Sequence, residues 1–168
     1  MPSNLPWPRW TLVAVSSHVT EVDPRDADVR ELVWHHLRFT NGASPAEFAF
    51  ALDEDGLAEA GVTVFGVRED GALLAIGALK RLDDTHAELK SMHTADSARR
   101  RGLGRLILDH VLATARARGY TRISLETGST EEFAGARVLY ASAGFVPCAP
   151  FGDYRPSGWN TYMTLDLT

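Results

Sequence analysis

A chain of 168 residues with a formal net charge of −5 and 45% hydrophobic residues has the length and composition of one globular domain with a full core. Its acidic balance argues against a surface that neutralises many phosphates, so no nucleic-acid partner is expected. No apolar run suggests a membrane span, MPSNLPWPRW lacks the order of a secretory leader, and the single Cys148 excludes an internal disulfide framework, so a cytoplasmic protein is expected.

Residues 1–10, with three prolines and two tryptophans, read as an irregular arm, and TLVAV (11–15) reads as a first strand. In DVRELVWHHLRF the spacing of Val29, Leu32, Val33 and His36 or Leu37 predicts a helix, stopped by Asn41-Gly42. Ser44-Pro45 suits the start of a second helix over about 45–52, with Ser44 as its cap. VTVFGV (62–67) and ALLAIGAL (72–79), joined through Glu69-Asp70-Gly71, predict a hairpin of buried strands.

HAELKSMH (86–93) alternates as a strand, which places His86, Glu88, Lys90 and Met92 on one face and His93 on the other. RGLGRLILDHVLATARARGY then carries Leu103, Leu106, Ile107, Val111, Leu112 and Ala115 on one helical stripe, closed by Gly119. RISLET (122–127) is a strand, 131–143 a helix ending at Gly144, and FVPC and TYMTLDL are the last two strands. This order predicts a single α/β domain over 1–168 built on a mixed sheet with helices on its faces.

Gly102 and Gly104 sit where a strand has ended and a helix begins, directly after Arg99, Arg100 and Arg101. Unpaired N–H groups and the helix dipole make such a place able to hold a pyrophosphate, and glycine lets the ligand approach the backbone. A solvated helix start explains the same residues. No Gly-Lys-Ser/Thr nucleotide loop is present, and no third glycine or downstream acid is placed as a dinucleotide fold requires. His35-His36 has no further ligand at metal spacing, so no metal is expected. Cys148 has no adjacent histidine or basic helix end to activate it.

Arg99-x-x-Gly102-x-Gly104 resembles the acyl-CoA pyrophosphate loop of the GNAT superfamily of N-acetyltransferases. Glu88-Leu89 upstream, and Ala136-x-x-Leu139-Tyr140-x-x-x-Gly144-Phe145 downstream, resemble that family's acid-bearing strand and its later, tyrosine-bearing helix. ELKSMHT, SLETGS and GFVPCAPFGDY further resemble a bacterial branch whose substrates are mostly unassigned. The segments FTNGASPAEFAFALD and SGWNTYMTL depart from that branch where the acceptor is expected to bind.

The resemblance implies a mostly antiparallel sheet with a splayed central parallel pair, strand 86–93 beside strand 122–127, and acetyl-CoA as co-substrate. It implies cofactor contacts from Met92, His93 and Thr94, and a pyrophosphate site at Arg99, Arg100, Arg101, Gly102, Leu103, Gly104 and Arg105. Tyr140 is then the proton donor to the leaving thiolate, and Glu88 the leading base, with His93 its rival. Lys90 favours the ionised form of Glu88, which weakens it as a base, and a surface Glu–Lys pair explains both residues equally. Glu126, Asp153 and Tyr154 are candidates for binding a cationic amine, Asp153 and Tyr154 from a loop rich in Gly, Pro and aromatics.

The expected activity is acetyl transfer from acetyl-CoA directly to a primary amine of a small or amino-acid-like acceptor. A non-catalytic acyl-CoA-binding regulatory module is the alternative, and a homodimer is the habit of the family.

Overall fold

The computed structural model describes residues 17–168. The expected arm at 1–10 and strand at 11–15 lie outside the described residues. Among the described residues seven strands form one sheet: β1 (His18–Glu21), β2 (Val62–Glu69), β3 (Ala72–Arg81), β4 (His86–Thr94), β5 (Arg122–Gly128), β6 (Val146–Pro147) and β7 (Asn160–Asp166), in the order β1-β2-β3-β4-β5-β7-β6. Every neighbouring pair is antiparallel except β4–β5. The helices are α1 (Ala27–Ala43), α2 (Glu54–Leu57), α3 (Leu103–Ala117) and α4 (Ala134–Ser142). No helix among the described residues is long and apolar enough to cross a membrane.

β2 and β3 are joined by Asp70 and Gly71, with φ of 48° and 84°, the pair of positive angles that matches a two-residue hairpin to the twist of its strands. The parallel pair needs a crossover, and α3 supplies it. One layer of core lies between the sheet and α3 with α4: Phe65, Leu79, Leu89, Ile107, Val111 and Leu125 are all buried there, together with Tyr140. The other lies under α1 and α2, where Val29, Val33, Leu57, Val64 and Ile76 meet.

Two expectations about the segment before β2 need correction. The helix does not stop at Asn41-Gly42 but runs to Ala43, and Ser44 leaves it in an extended conformation (φ −143°, ψ 150°). The residue before a proline is pushed out of the helical region, so Pro45 is the terminator; a glycine in a helix costs only about 1 kcal/mol, which the buried stripe through Thr40 offsets. The second helix over 45–52 reduces to one 3-10 turn, Ala46–Phe48, which Ser44 does not cap. The α-helical turn comes later, as α2, where the Asp53 carboxylate accepts from the Gly56 N–H at 2.9 Å.

β4 also departs from simple alternation. Lys90 pairs with Ala78 and His93 with Ile76, so Ser91 and Met92 together oppose Gly77. Ser91 takes a left-handed φ of 54° to make this bulge. Gly77 is required opposite it: a Cβ there would lie 2.5 Å from Ile107 Cγ2 and 2.6 Å from Met92 Sδ. The extra residue reverses the alternation. Met92 therefore packs into the α3 core, not beside Glu88, and His93 joins Lys90 on the α1 face instead of opposing it.

Candidate active site

β4 and β5 pair only from His86–Arg122 to Leu89–Leu125, after which both strands continue without pairing to each other. A cavity of about 580 Å³ fills the resulting wedge. Its walls come from the second half of β4, the end of β5, α1, the segment 48–51, the start of α3 and the face of α4 that carries Tyr140.

At one end stands the first turn of α3, whose N–H groups have no partners within the helix. Gly102 enters it at φ 79°, a conformation that suits glycine. Gly104 lines the cavity closely packed: a Cβ there would lie 3.4 Å from Leu139 Cδ2 and 3.9 Å from Thr94 Oγ1. Arg99, Arg100, Leu103 and Arg105 line the same end. Arg99 is half-exposed and paired with Asp96 at 2.8 Å, and Arg105 pairs with Asp109 at 2.7 Å. Arg101 differs from its neighbours: it pairs with Glu69 at the β2–β3 hairpin at 2.5 Å and is not in the cavity wall.

Tyr140 reaches the middle of the cavity from α4, its ring edge-on to Phe145 at 6.0 Å. Its hydroxyl makes no hydrogen bond to the described residues. Burial, reinforced by the charge of Glu126, pushes the phenol well above its ordinary pKa, so it stays protonated.

At the far end, Glu126 lines the cavity while Glu88 does not. Glu88 is buried and its Oε1 accepts from the Tyr154 hydroxyl at 2.5 Å and from Lys90 Nζ at 3.2 Å. Lys90 Nζ also donates to the Tyr154 oxygen at 2.7 Å. These three side chains, one expected as a base and one as an acceptor contact, thus form a buried cluster that meets the cavity through Lys90. Glu126 Oε1 accepts from Asn160 Nδ2 at 2.6 Å. Burial raises its carboxyl above the usual range, and the Asn160 hydrogen bond and the Lys90 charge oppose that rise. Asp153 is exposed and outside the wall, so the three expected acids do not converge.

Met92, His93 and Thr94 all line the wedge. His93 faces His36 of α1, their ring centroids 5.2 Å apart. Burial, followed by the Arg99 charge, lowers the His93 pKa to about 4, which makes it a poor base near neutrality. His36, Phe39, Phe48, Phe50 and Phe133 complete the wall, and none was singled out as a site residue in the sequence. Phe39, Phe48 and Phe50 do fall in the segment 39–53 where the acceptor is expected to bind, and His36 shows as a polar residue on the apolar stripe of α1. Among the described residues no cluster of three metal-binding side chains occurs.

A family model described as the acetyltransferase (GNAT) family matches residues 28–145. The chain is 44% identical over 139 residues to the uncharacterised N-acetyltransferase YedL of Escherichia coli (strain K12), covering 83% of this chain and 87% of that one. It is 40% identical over 150 residues to the uncharacterised N-acetyltransferase YsnE of Bacillus subtilis (strain 168), covering 89% and 99%. In fold it is similar to the solved structure of a candidate acyl-CoA N-acyltransferase from Klebsiella pneumoniae, with a TM-score of 0.75, 22% identity, and coverage of 92% of this chain and 99% of that one.

Proposed function

As the chain belongs to the acetyltransferase (GNAT) family, we propose that it transfers the acetyl group of acetyl-CoA directly to a primary amine. The observation that carries this reading is that one continuous cavity is lined by the N-terminus of α3, Tyr140 and Glu126 along the opened β4–β5 pair. The donor set fits the co-substrate. The α3 end offers backbone N–H groups and the Arg99 and Arg100 side chains to a pyrophosphate, and the unpaired edges of β4 and β5 offer main-chain partners to an amide-bearing arm. Bound there, acetyl-CoA supplies an activated thioester carbonyl.

The acceptor amine must arrive with its lone pair free. Glu126 is the group we assign to take its proton, because it faces the cavity, has an oxygen not engaged by Asn160, and is made more basic by burial. The freed nitrogen then bonds to the acetyl carbon and gives up its surplus proton to solvent as the carbon–sulfur bond breaks, leaving the neutral amide. Tyr140 donates its hydroxyl proton to the departing sulfur. Glu88, committed to Lys90 and Tyr154, is a positioning residue in this scheme and not the base.

Calorimetric titration with acetyl-CoA, CoA and ATP tests the reading, followed by CoA release in the presence of amines. Micromolar binding of both CoA forms, no binding of ATP, and amine-dependent release are expected. A protein that does not bind acetyl-CoA overturns the assignment, and one that binds it but never turns over is a binding module.

A further inference from the structure

His36, Lys90 and His93 meet at the α1 end of the cavity, and the acetyl-transfer steps use none of them. His36 is buried, yet its Nδ1 has no hydrogen-bond partner. An unpaired polar atom at such a place costs stability, and the position lies on the stripe where α1 otherwise buries Val29, Leu32 and Val33. Lys90 is also underused. An ammonium carries three N–H donors, and Nζ gives one to Glu88 and one to Tyr154.

The corner therefore offers a spare Lys90 N–H and a positive charge, with the His36 and His93 imidazoles lining the cavity beside it and walls that include Phe39 and Phe50. The buried acid nearest Lys90, Glu88, is already neutralised by it, so a second ammonium would find no free counter-charge here. A carboxylate would: it can accept from Lys90 and from an imidazole N–H at once. Glu126 is close enough for the Lys90 charge to act on it, so an amine held at Glu126 and a carboxylate held at Lys90 fit one small molecule.

Resting on the acetyltransferase reading, we propose that the His36–Lys90–His93 corner binds a carboxylate of the acceptor, which makes the acceptor class apolar amino acids rather than simple amines. The amine presents to Glu126 and the side chain to the phenylalanine walls.

The test compares each of leucine, methionine and phenylalanine with its amide and its decarboxylated amine. Two readouts are taken: kcat/KM by CoA release, and equilibrium binding to the CoA-loaded protein. The free acids are expected to be preferred by at least about ten-fold, the size of a charge-assisted hydrogen bond. That preference should collapse in His36→Leu, which fills an apolar stripe. It should also collapse in the double variant Glu88→Gln/Lys90→Met, which removes the ammonium without leaving a buried carboxylate unpaired. Equal or better use of the amides or decarboxylated amines overturns the proposal, as does failure of the whole panel to bind a protein that does bind acetyl-CoA. Loss of acetyl-CoA binding in the native protein would instead remove the acetyltransferase reading, and this proposal with it.

Discussion

Replacing Tyr140 with phenylalanine removes one oxygen and little else. The ring is 6% exposed and its edge-on contact with Phe145, 6.0 Å between centroids, survives in Tyr140→Phe. The hydroxyl has no partner among the described residues, so nothing is orphaned by its loss. The stability change is expected within about 0.5 kcal/mol. Catalysis is different. A general acid contributes roughly 10²–10⁴-fold, but a thiolate of pKa about 8.5 leaves readily, which places this proton at or below the lower limit. Turnover should fall about 10–100-fold, or about 1.4–2.7 kcal/mol of barrier. Steady-state CoA release gives kcat, calorimetry gives the acetyl-CoA affinity, and the affinity should move less than about two-fold. Above pH ~9 the thiolate needs no donor, so the deficit should narrow there. Native turnover with native affinity would refute the role.

Gly104→Val should weaken acetyl-CoA binding by at least about ten-fold, since an alanine-sized group just fits against Leu139 at 3.4 Å and the further methyls must enter the cavity; undiminished affinity by calorimetry would sink the pyrophosphate assignment. Asn160→Ala removes the hydrogen bond that lowers the Glu126 pKa, so the acidic limb of the kcat/KM profile should move to higher pH. A stationary limb would rule out Glu126 as the base. The folded protein holds His36 and His93 neutral, with pKa values lowered to about 3 and about 4, while the unfolded chain protonates them near 6.5. Over that interval the unfolded state binds more protons, so stability should fall by roughly 5 kcal/mol as pH drops from 6.5 to 4, shared about equally between the two histidines. Urea titrations across that range should show a shallower loss in His36→Leu, and an identical slope would contradict the burial argument.

Strands and long helices were legible because their signals are local. Ala72–Arg81 and Leu103–Ala117 carry apolar runs long enough to identify themselves, and Asp70-Gly71 marks its own turn. The glycine turn was legible as a helix start for the same reason. The acceptor end was not. Which acid faces the cavity depends on Tyr154, 66 positions after Glu88, folding back to take that carboxylate at 2.5 Å. Asn160 likewise reaches Glu126 from 34 positions away. In the sequence His36 is weighed only as a metal ligand and lacks a partner at metal spacing, whereas in space it faces His93. Ser44-Pro45 combined two familiar helix-start residues, and the proline's restriction on the residue before it outweighed the cap.

The single added residue at Ser91 works as a phase change in β4. Up to Lys90 the even-numbered side chains belong to the α1 layer, and from His93 the odd-numbered ones do. One short strand can therefore send two nitrogen bases to the acceptor side while Met92 fills the apolar layer between them. A straight strand of the same length would exchange the two faces beyond Lys90, setting a methionine opposite His36 and driving an imidazole against Ile107, whereas deleting Ser91 would remove the bulge and leave both side chains on their present faces. The chemistry of this end of the cavity is thus written as much in the bulge as in the identity of the residues around it.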